Sequence, residues 1–244
     1  MGEWRSSRMP HTNRKKRAVQ PKSRNTMYIA AGILIVALVG GTGFYLYTVN
    51  SNAANTSSNT ASCGGGSKTS TSSSSSTSPF VYARIDTTLG CIEVELFPSS
   101  APATVANFVS LANSGFYSNL VWHRIVAGFV VQTGDSLTKN GGGDRSLWGT
   151  GGSGHTVPLE VTNTSLRNDR GYLGMARGTD INSGTSQFYI NLASNPTLDG
   201  KYTVFGKVIT GMAVVDAIAS VPVNSSSQPI NPVFVTSITI LPGP

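Results

Sequence analysis

The chain has 244 residues, of which 39% are hydrophobic, 8% aromatic and only 12% charged, with 18 Lys plus Arg against 11 Asp plus Glu. Residues 1–26 carry eight bases (Arg5, Arg8, Arg14, Lys15, Lys16, Arg17, Lys22 and Arg24) and one acid, Glu3, which accounts for the entire formal charge of +7. The remainder is neutral, which excludes a basic, nucleic-acid-binding fold. Two cysteines, Cys63 and Cys91, exclude a disulfide framework and a four-cysteine zinc site, and the scattered His11, His123 and His155 exclude a histidine-based metal site.

Residues 1–27 read as a basic tail. Residues 28–49, YIAAGILIVALVGGTGFYLYTV, hold no charge. At a helical rise of about 1.5 Å per residue they would extend about 33 Å, enough to cross a hydrocarbon core of about 30 Å. Tyr28, Tyr45 and Tyr47 lie near the ends of this run, where aromatic rings favour the headgroup boundary. The run exceeds the apolar stretch of about 7–15 residues found in cleaved signal peptides. A retained transmembrane helix is therefore expected, although cleavage near Ala53-Ala54 would give a secreted form. By the positive-inside rule, Arg14-Lys15-Lys16-Arg17 stays cytoplasmic and residues 50–244 lie outside. A basic flank beside a span is already explained, so no nucleic-acid partner is expected.

Residues 50–79 are almost wholly Ser, Thr, Asn, Gly and Ala. Such a segment cannot bury enough apolar surface to offset its ordering entropy, so it reads as a flexible linker with a reach of about 30 Å. Cys63 would lie free within it.

Residues 80–244 read as one folded domain. Val81–Ile85 and Ile92–Leu96 alternate with the period of a strand and flank a turn at Leu89-Gly90. Cys91 is expected to pack within the second strand. Ser99 or Ser100 can cap a helix starting at Ala101-Pro102, whose apolar stripe includes Val105, Phe108, Val109 and Leu111 and which ends at Gly115. Further strands are predicted near 121–132, 171–176, 186–192, 202–209 and 233–241, with a second helix over Gly211–Ala219. Many strands, few helices and Gly-rich connections indicate an all-β barrel or sandwich with two helices. Gly149–Gly154 fits the G-x-G-x-x-G pattern, but His155-Thr156-Val157-Pro158 follows as extended chain, so the segment reads as a surface loop and not a dinucleotide site.

Three ordered blocks carry the chemistry. The first is Trp122-His123-Arg124 followed by Phe129, Gln132 and Gly134-Asp135. The second joins Gly174-Met175-Ala176-Arg177 to Ser186-Gln187-Phe188-Tyr189-Ile190. The third is Leu198-Asp199-Gly200-Lys201-Tyr202-Thr203-Val204-Phe205-Gly206-Lys207-Val208. Together they resemble the F-H-R-x-x-x-x-F-x-x-Q-x-G-D, M-A-[NR] with S-Q-F-F-I, and L-D-x-x-[HY]-x-V-F-G-x-V segments of the cyclophilins, peptidyl-prolyl cis-trans isomerases, over roughly residues 82–241. The resemblance implies a closed eight-stranded antiparallel β-barrel capped by two α-helices. It also implies an isomerase needing no cofactor and no metal, whose partners are extended or unfolded Pro-containing polypeptides.

Rotation about an X–Pro bond faces a barrier of about 18–20 kcal/mol because the amide loses resonance on twisting. An enzyme has only to bind the twisted amide better than either planar isomer. Lowering the barrier by about 6 kcal/mol gives roughly ten-thousandfold acceleration. The resemblance assigns this differential binding to Arg124, whose planar guanidinium can bond the proline carbonyl and approach the imide nitrogen as it grows more basic. Gln132 would hold the guanidinium in place. Phe129 and Tyr189, with Val130 and Leu198, would line the apolar pocket for the proline ring. Ala176 and Arg177 would present backbone groups to the peptide, with Gln187 and Tyr202 at the rim. His123 is assigned a structural role, and no steep pH dependence near neutrality is expected.

Departures from the family pattern bear on ligands. Thr197 stands where cyclosporin-sensitive members carry Trp, so weak cyclosporin binding is expected. Tyr189 replaces a Phe, and its hydroxyl would narrow or polarise the pocket floor. Ala127 stands where Pro is common, which predicts a looser turn, and Leu137–Gly154 reads as a long, flexible lip. The competing reading is a non-catalytic chaperone or scaffold module that binds extended Pro-containing peptides.

Overall fold

The computed structural model describes residues 81–242. The predicted basic tail, transmembrane segment 28–49 and linker 50–79 lie outside the described residues. Among the described residues, no helix is long and apolar enough to cross a membrane.

Strands β1 (Val81–Thr87) and β2 (Gly90–Leu96) form the predicted hairpin, in register from Val81 opposite Leu96 to Thr87 opposite Gly90. Their alternation buries Ala83 and Ile85 on one strand and Ile92, Val94 and Leu96 on the other. Helix α1 (Pro102–Asn113) follows, then β3 (Leu120–Val121), β4 (Arg124–Val126), β5 (Val130–Thr133), β6 (Tyr172–Met175) and β7 (Phe188–Asn191). Strand β8 (Val204–Thr210), helix α2 (Met212–Ala219) and β9 (Phe234–Leu241) complete the domain.

The described residues thus form nine strands in one sheet, ordered β3-β9-β1-β2-β8-β6-β7-β5-β4 and antiparallel at every pairing. The mainly β architecture is as expected, but the described residues form a half-barrel of nine strands instead of eight, without the expected closure. No ladder among the described residues joins the terminal strands β3 and β4. The extra strand arises because the stretch predicted as 121–132 divides into three pieces. β3 pairs with β9 for two residues, and the chain then leaves that ladder through Trp122-His123. β4 and β5 are separated by a turn in which Phe129 N–H donates to Val126 O at 2.9 Å. Gly128 adopts φ +72 there, the left-handed region that glycine enters without steric cost.

The core is aromatic at its centre. Phe108 on α1 packs against Tyr117, Phe188 and Phe205 with ring centroids 5.3, 5.5 and 5.5 Å away, and Trp122 meets Phe188 at 6.1 Å. Each fully buried ring of this size contributes about 1.5–3 kcal/mol relative to exposure. α2 closes the other side with Val214, Val215 and Ile218.

Two local expectations are corrected. Helix α1 is not capped by Ser99 or Ser100; its N-cap is Ala101, which supplies no side-chain acceptor. The Glu160 carboxylate takes that role from 57 residues away, accepting from Ala103 N–H at 2.9 Å, Thr104 N–H at 2.9 Å and Thr104 Oγ1 at 2.7 Å. A negative charge at a helix N-terminus satisfies the orphan donors and suits the dipole. Cys91 is buried in β2 as expected, but it is also disulfide-bonded; Cys63, expected to be free, lies outside the described residues.

Candidate active site

Residues directly opposite one another in an antiparallel pair share a face of the sheet. The register of β4, β5, β7 and β6 therefore sets side chains in transverse rows. Ile125, Val131, Ile190 and Leu173 form one row, each no more than 2% exposed, and it points into the core. The adjacent row faces the other way and runs Arg124, Gln132, Tyr189, Gly174. One pleat thus separates the core from the polar and aromatic groups singled out by the motifs.

That second row opens on a hollow of about 270 Å³ lined by Arg124, Phe129, Val130, Gln132, Ala176, Arg177, Tyr189, Leu198 and Tyr202. Nine of the ten expected site residues meet there. The tenth, Gln187, lies one hydrogen bond behind the row. Arg124 is half-buried, with its guanidinium carbon 5.7 Å from the centre of the Phe129 ring. That distance permits a cation–π attraction.

A directional relay fixes the polar end. Arg124 Nη1 donates to Gln132 Oε1 at 3.4 Å, and Gln132 Nε2 donates to Gln187 Oε1 at 2.9 Å. Gln187 Nε2 then donates to Gly149 O at 3.0 Å and to Gly151 O at 2.7 Å. Gln187 therefore supports the Arg124–Gln132 pair and anchors the loop, and it also lines a larger hollow beside the first. The relay also corrects the expectation of a flexible lip over Leu137–Gly154. Asp135 accepts from Leu137 N–H at 2.8 Å and from Gly149 N–H. Trp148 is 7% exposed, and Arg145 donates to Pro229 O at 3.0 Å. The segment is pinned at both ends and in its middle.

A second hollow of about 480 Å³ adjoins the first and shares Gln132, Ala176 and Arg177 with it. Between them the Arg177 guanidinium lies 4.7 Å from the centre of the Tyr202 ring and donates to Lys201 O and Gly178 O at 3.1 and 2.9 Å. Of the expected peptide contacts, the Ala176 N–H is already engaged, donating to Gln187 O at 2.9 Å.

The Tyr189 hydroxyl does not polarise the floor of the hollow. It turns away and donates to Asn168 Oδ1 at 2.8 Å, leaving the ring as an apolar surface set edge-on to Tyr202 at 6.1 Å. Burial pushes the phenol well above its ordinary range. Asn168 was invisible to motif reasoning because no pattern marks an asparagine that serves a residue 21 positions away.

His123 is 2% exposed, and neither ring nitrogen has a hydrogen-bond partner among the described residues. Burial pushes its pKa down from 6.5 to about 4, partly opposed by the Asp135 charge. The imidazole is neutral at pH 7. Among the described residues no cluster of His, Cys, Asp or Glu could hold a metal ion.

Residues 82–240 match the family model of cyclophilin type peptidyl-prolyl cis-trans isomerases. The chain is 39% identical over 156 residues to a peptidyl-prolyl cis-trans isomerase-like 1 of Aspergillus niger, covering 64% of this chain and 92% of the relative. It is 40% identical over 164 residues to a peptidyl-prolyl cis-trans isomerase-like 2 of Rhizopus delemar, covering 67% of this chain but only 29% of that longer protein. A crystal structure of a Cryptosporidium parvum cyclophilin type isomerase superposes with a TM-score of 0.60 at 33% identity, over 68% of this chain and 99% of the other. A second structure of that protein, in the presence of the dipeptide Ala-Pro, gives a TM-score of 0.58, also at 33% identity, over 66% and 98% of the two chains. The chain belongs to the cyclophilin-type peptidyl-prolyl cis-trans isomerases.

Burial of His123 links the stability of the fold to pH. Its folded pKa lies below its unfolded value, so the unfolded chain binds the extra proton between about pH 6.5 and 4. The associated stability is complete above that window and is lost on acidification through it, by about 3 kcal/mol at most. Thermal unfolding followed from pH 7 to pH 4.5 should show a falling midpoint, and His123→Gln should flatten the slope. An identical slope in the variant would remove His123 as its source.

Proposed function

We propose that the hollow over the Arg124–Gln132–Tyr189 row is where this chain isomerises X–Pro bonds. The proline ring sits on the apolar surfaces of Phe129, Tyr189 and Leu198. Arg124 donates to the proline carbonyl and faces the imide nitrogen as resonance is lost and the nitrogen grows basic. No bond is made or broken. Acceleration comes from contacts that strengthen as the amide twists, which is the condition for lowering a barrier and not merely binding substrate. Preorganisation supports the reading, since the guanidinium is held by Gln132 before any peptide arrives. Extended chain on either side of the proline can continue over Ala176 and Arg177 towards the larger hollow. The single observation that carries the proposal is the meeting of Arg124, an apolar ring floor and a supporting amide in one hollow.

Full-length protein should accelerate a proline-limited refolding reaction, and Arg124→Ala should reduce that acceleration by about a hundredfold or more, the scale of losing a preorganised donor. Arg124→Lys should recover little, because an ammonium lacks the planar fork. Undiminished acceleration by both variants would contradict the assignment.

The folding role is placed outside the cytoplasmic membrane, with residues 28–49 as the anchor. Support comes from the uncharged 22-residue run behind a basic flank. Full-length protein should partition with membranes under alkaline extraction and a variant lacking 28–49 should not; equal partitioning would remove the anchor.

Weak cyclosporin binding is proposed on Thr197, which is exposed on the 3₁₀ turn Pro196–Leu198 and offers no ring above the hollow. Thr197→Trp should raise cyclosporin affinity in a fluorescence titration, and no change would detach that position from drug binding.

A further inference from the structure

We infer that Asn168, which lines neither hollow, is a positioning residue for the isomerase site, acting through the Tyr189 hydroxyl to lock the aromatic floor in one orientation. The inference rests on the assignment of the hollow made above and adds a residue to it.

The space under the Tyr189 ring is made by a missing side chain. Gly174 stands opposite Tyr189 in the row, and a Cβ there would overlap Cζ, Cε2 and the hydroxyl of the tyrosine. The ring therefore lies across the bare backbone of β6. A ring over a glycine has no side chain beneath it to hold its tilt, and the phenol supplies the hold by donating to Asn168 Oδ1 at 2.8 Å. Asn168 is 1% exposed and is itself fixed from several sides. Its backbone N–H and Nδ2 donate to Asp199 Oδ1 at 2.8 and 3.1 Å, and its carbonyl accepts from Asn195 N–H at 2.8 Å.

These partners reach the other walls of the hollow. Asp199 follows Leu198 directly in the chain. Asn195 Nδ2 donates to Phe129 O at 3.1 Å and to Asn191 Oδ1 at 2.7 Å. One buried amide therefore ties together the Tyr189 floor and the backbones that carry Leu198 and Phe129. Of these links, only the one to Tyr189 runs through a side chain in the hollow, so it is the link through which a change at 168 would reach the bound proline.

A double-mutant cycle in the full-length protein tests this, with kcat and KM measured separately on an X–Pro peptide. Asn168→Leu keeps the branching and the number of heavy atoms and removes the acceptor; Tyr189→Phe removes only the hydroxyl. Each single change should lower kcat/KM about five- to tenfold, the scale of one buried hydrogen bond, with most of the change in KM because the floor binds the ring in all its states. In the Tyr189→Phe background, Asn168→Leu should cost less than twofold. Equal losses from Asn168→Leu in both backgrounds would overturn the inference, since a purely structural role predicts that outcome. If Asn168→Leu does not fold, Tyr189→Phe decides alone: unchanged kcat/KM overturns the inference, and a KM-dominated loss upholds it. Arg124→Ala in parallel separates the two proposals, because it lowers turnover by about a hundredfold or more if the hollow is the site, whatever Asn168 does.

Discussion

The site depends on one constraint, the alignment of four strands so that Arg124, Gln132, Tyr189 and Gly174 fall in a single transverse row. A slip of one residue in any of these pairings would exchange that residue for a core neighbour, since successive side chains point to opposite faces. Charged and amide groups would then enter a core of Ile125, Val131, Ile190 and Leu173, at a cost of several kcal/mol for each unpaired polar group. The same apolar row that stabilises the domain thus fixes the register that builds the hollow. Core and site are two sides of one pleat.

Behind the row, polar groups are arranged so that little reorganisation remains for the moment of reaction. Arg124 is backed by Gln132, Gln132 by Gln187, and Gln187 by two loop carbonyls. An isolated guanidinium in water would lose much of its value to side-chain entropy and solvation. One held by an amide and laid beside a ring spends that cost during folding. The loop from Leu137 to Gly154 belongs to this scaffold, since its backbone closes the relay.

The sequence made much of this legible. Alternating runs marked the β1–β2 hairpin, and the spacing of three motif blocks marked all nine of the residues that meet in the hollow. What it left hidden was set by contacts between distant positions. Glu160 caps a helix that begins 58 residues earlier, at Pro102, while the nearby serines that composition favours stay out of the cap. The run 121–132 reads as one strand by alternation alone; its division depends on where β3 and β5 find partners, in β9 and β7. The glycines of 137–154 suggested looseness because composition cannot reveal that Gln187 and Asp135 hold their backbone. The Tyr189 hydroxyl, expected to face the pocket, points elsewhere because Gly174 leaves it room and Asn168 gives it a partner.

The central claim is that the bound proline lies on the rings of Phe129 and Tyr189 with its carbonyl at Arg124. Nuclear Overhauser contacts between an Ala-Pro-containing peptide and the protein test this directly. The account predicts contacts from the proline ring protons to both aromatic rings, together with a shift of the Arg124 Nε–H resonance on saturation. Proline contacts confined to other surfaces, with the Arg124 resonance unmoved, would contradict it.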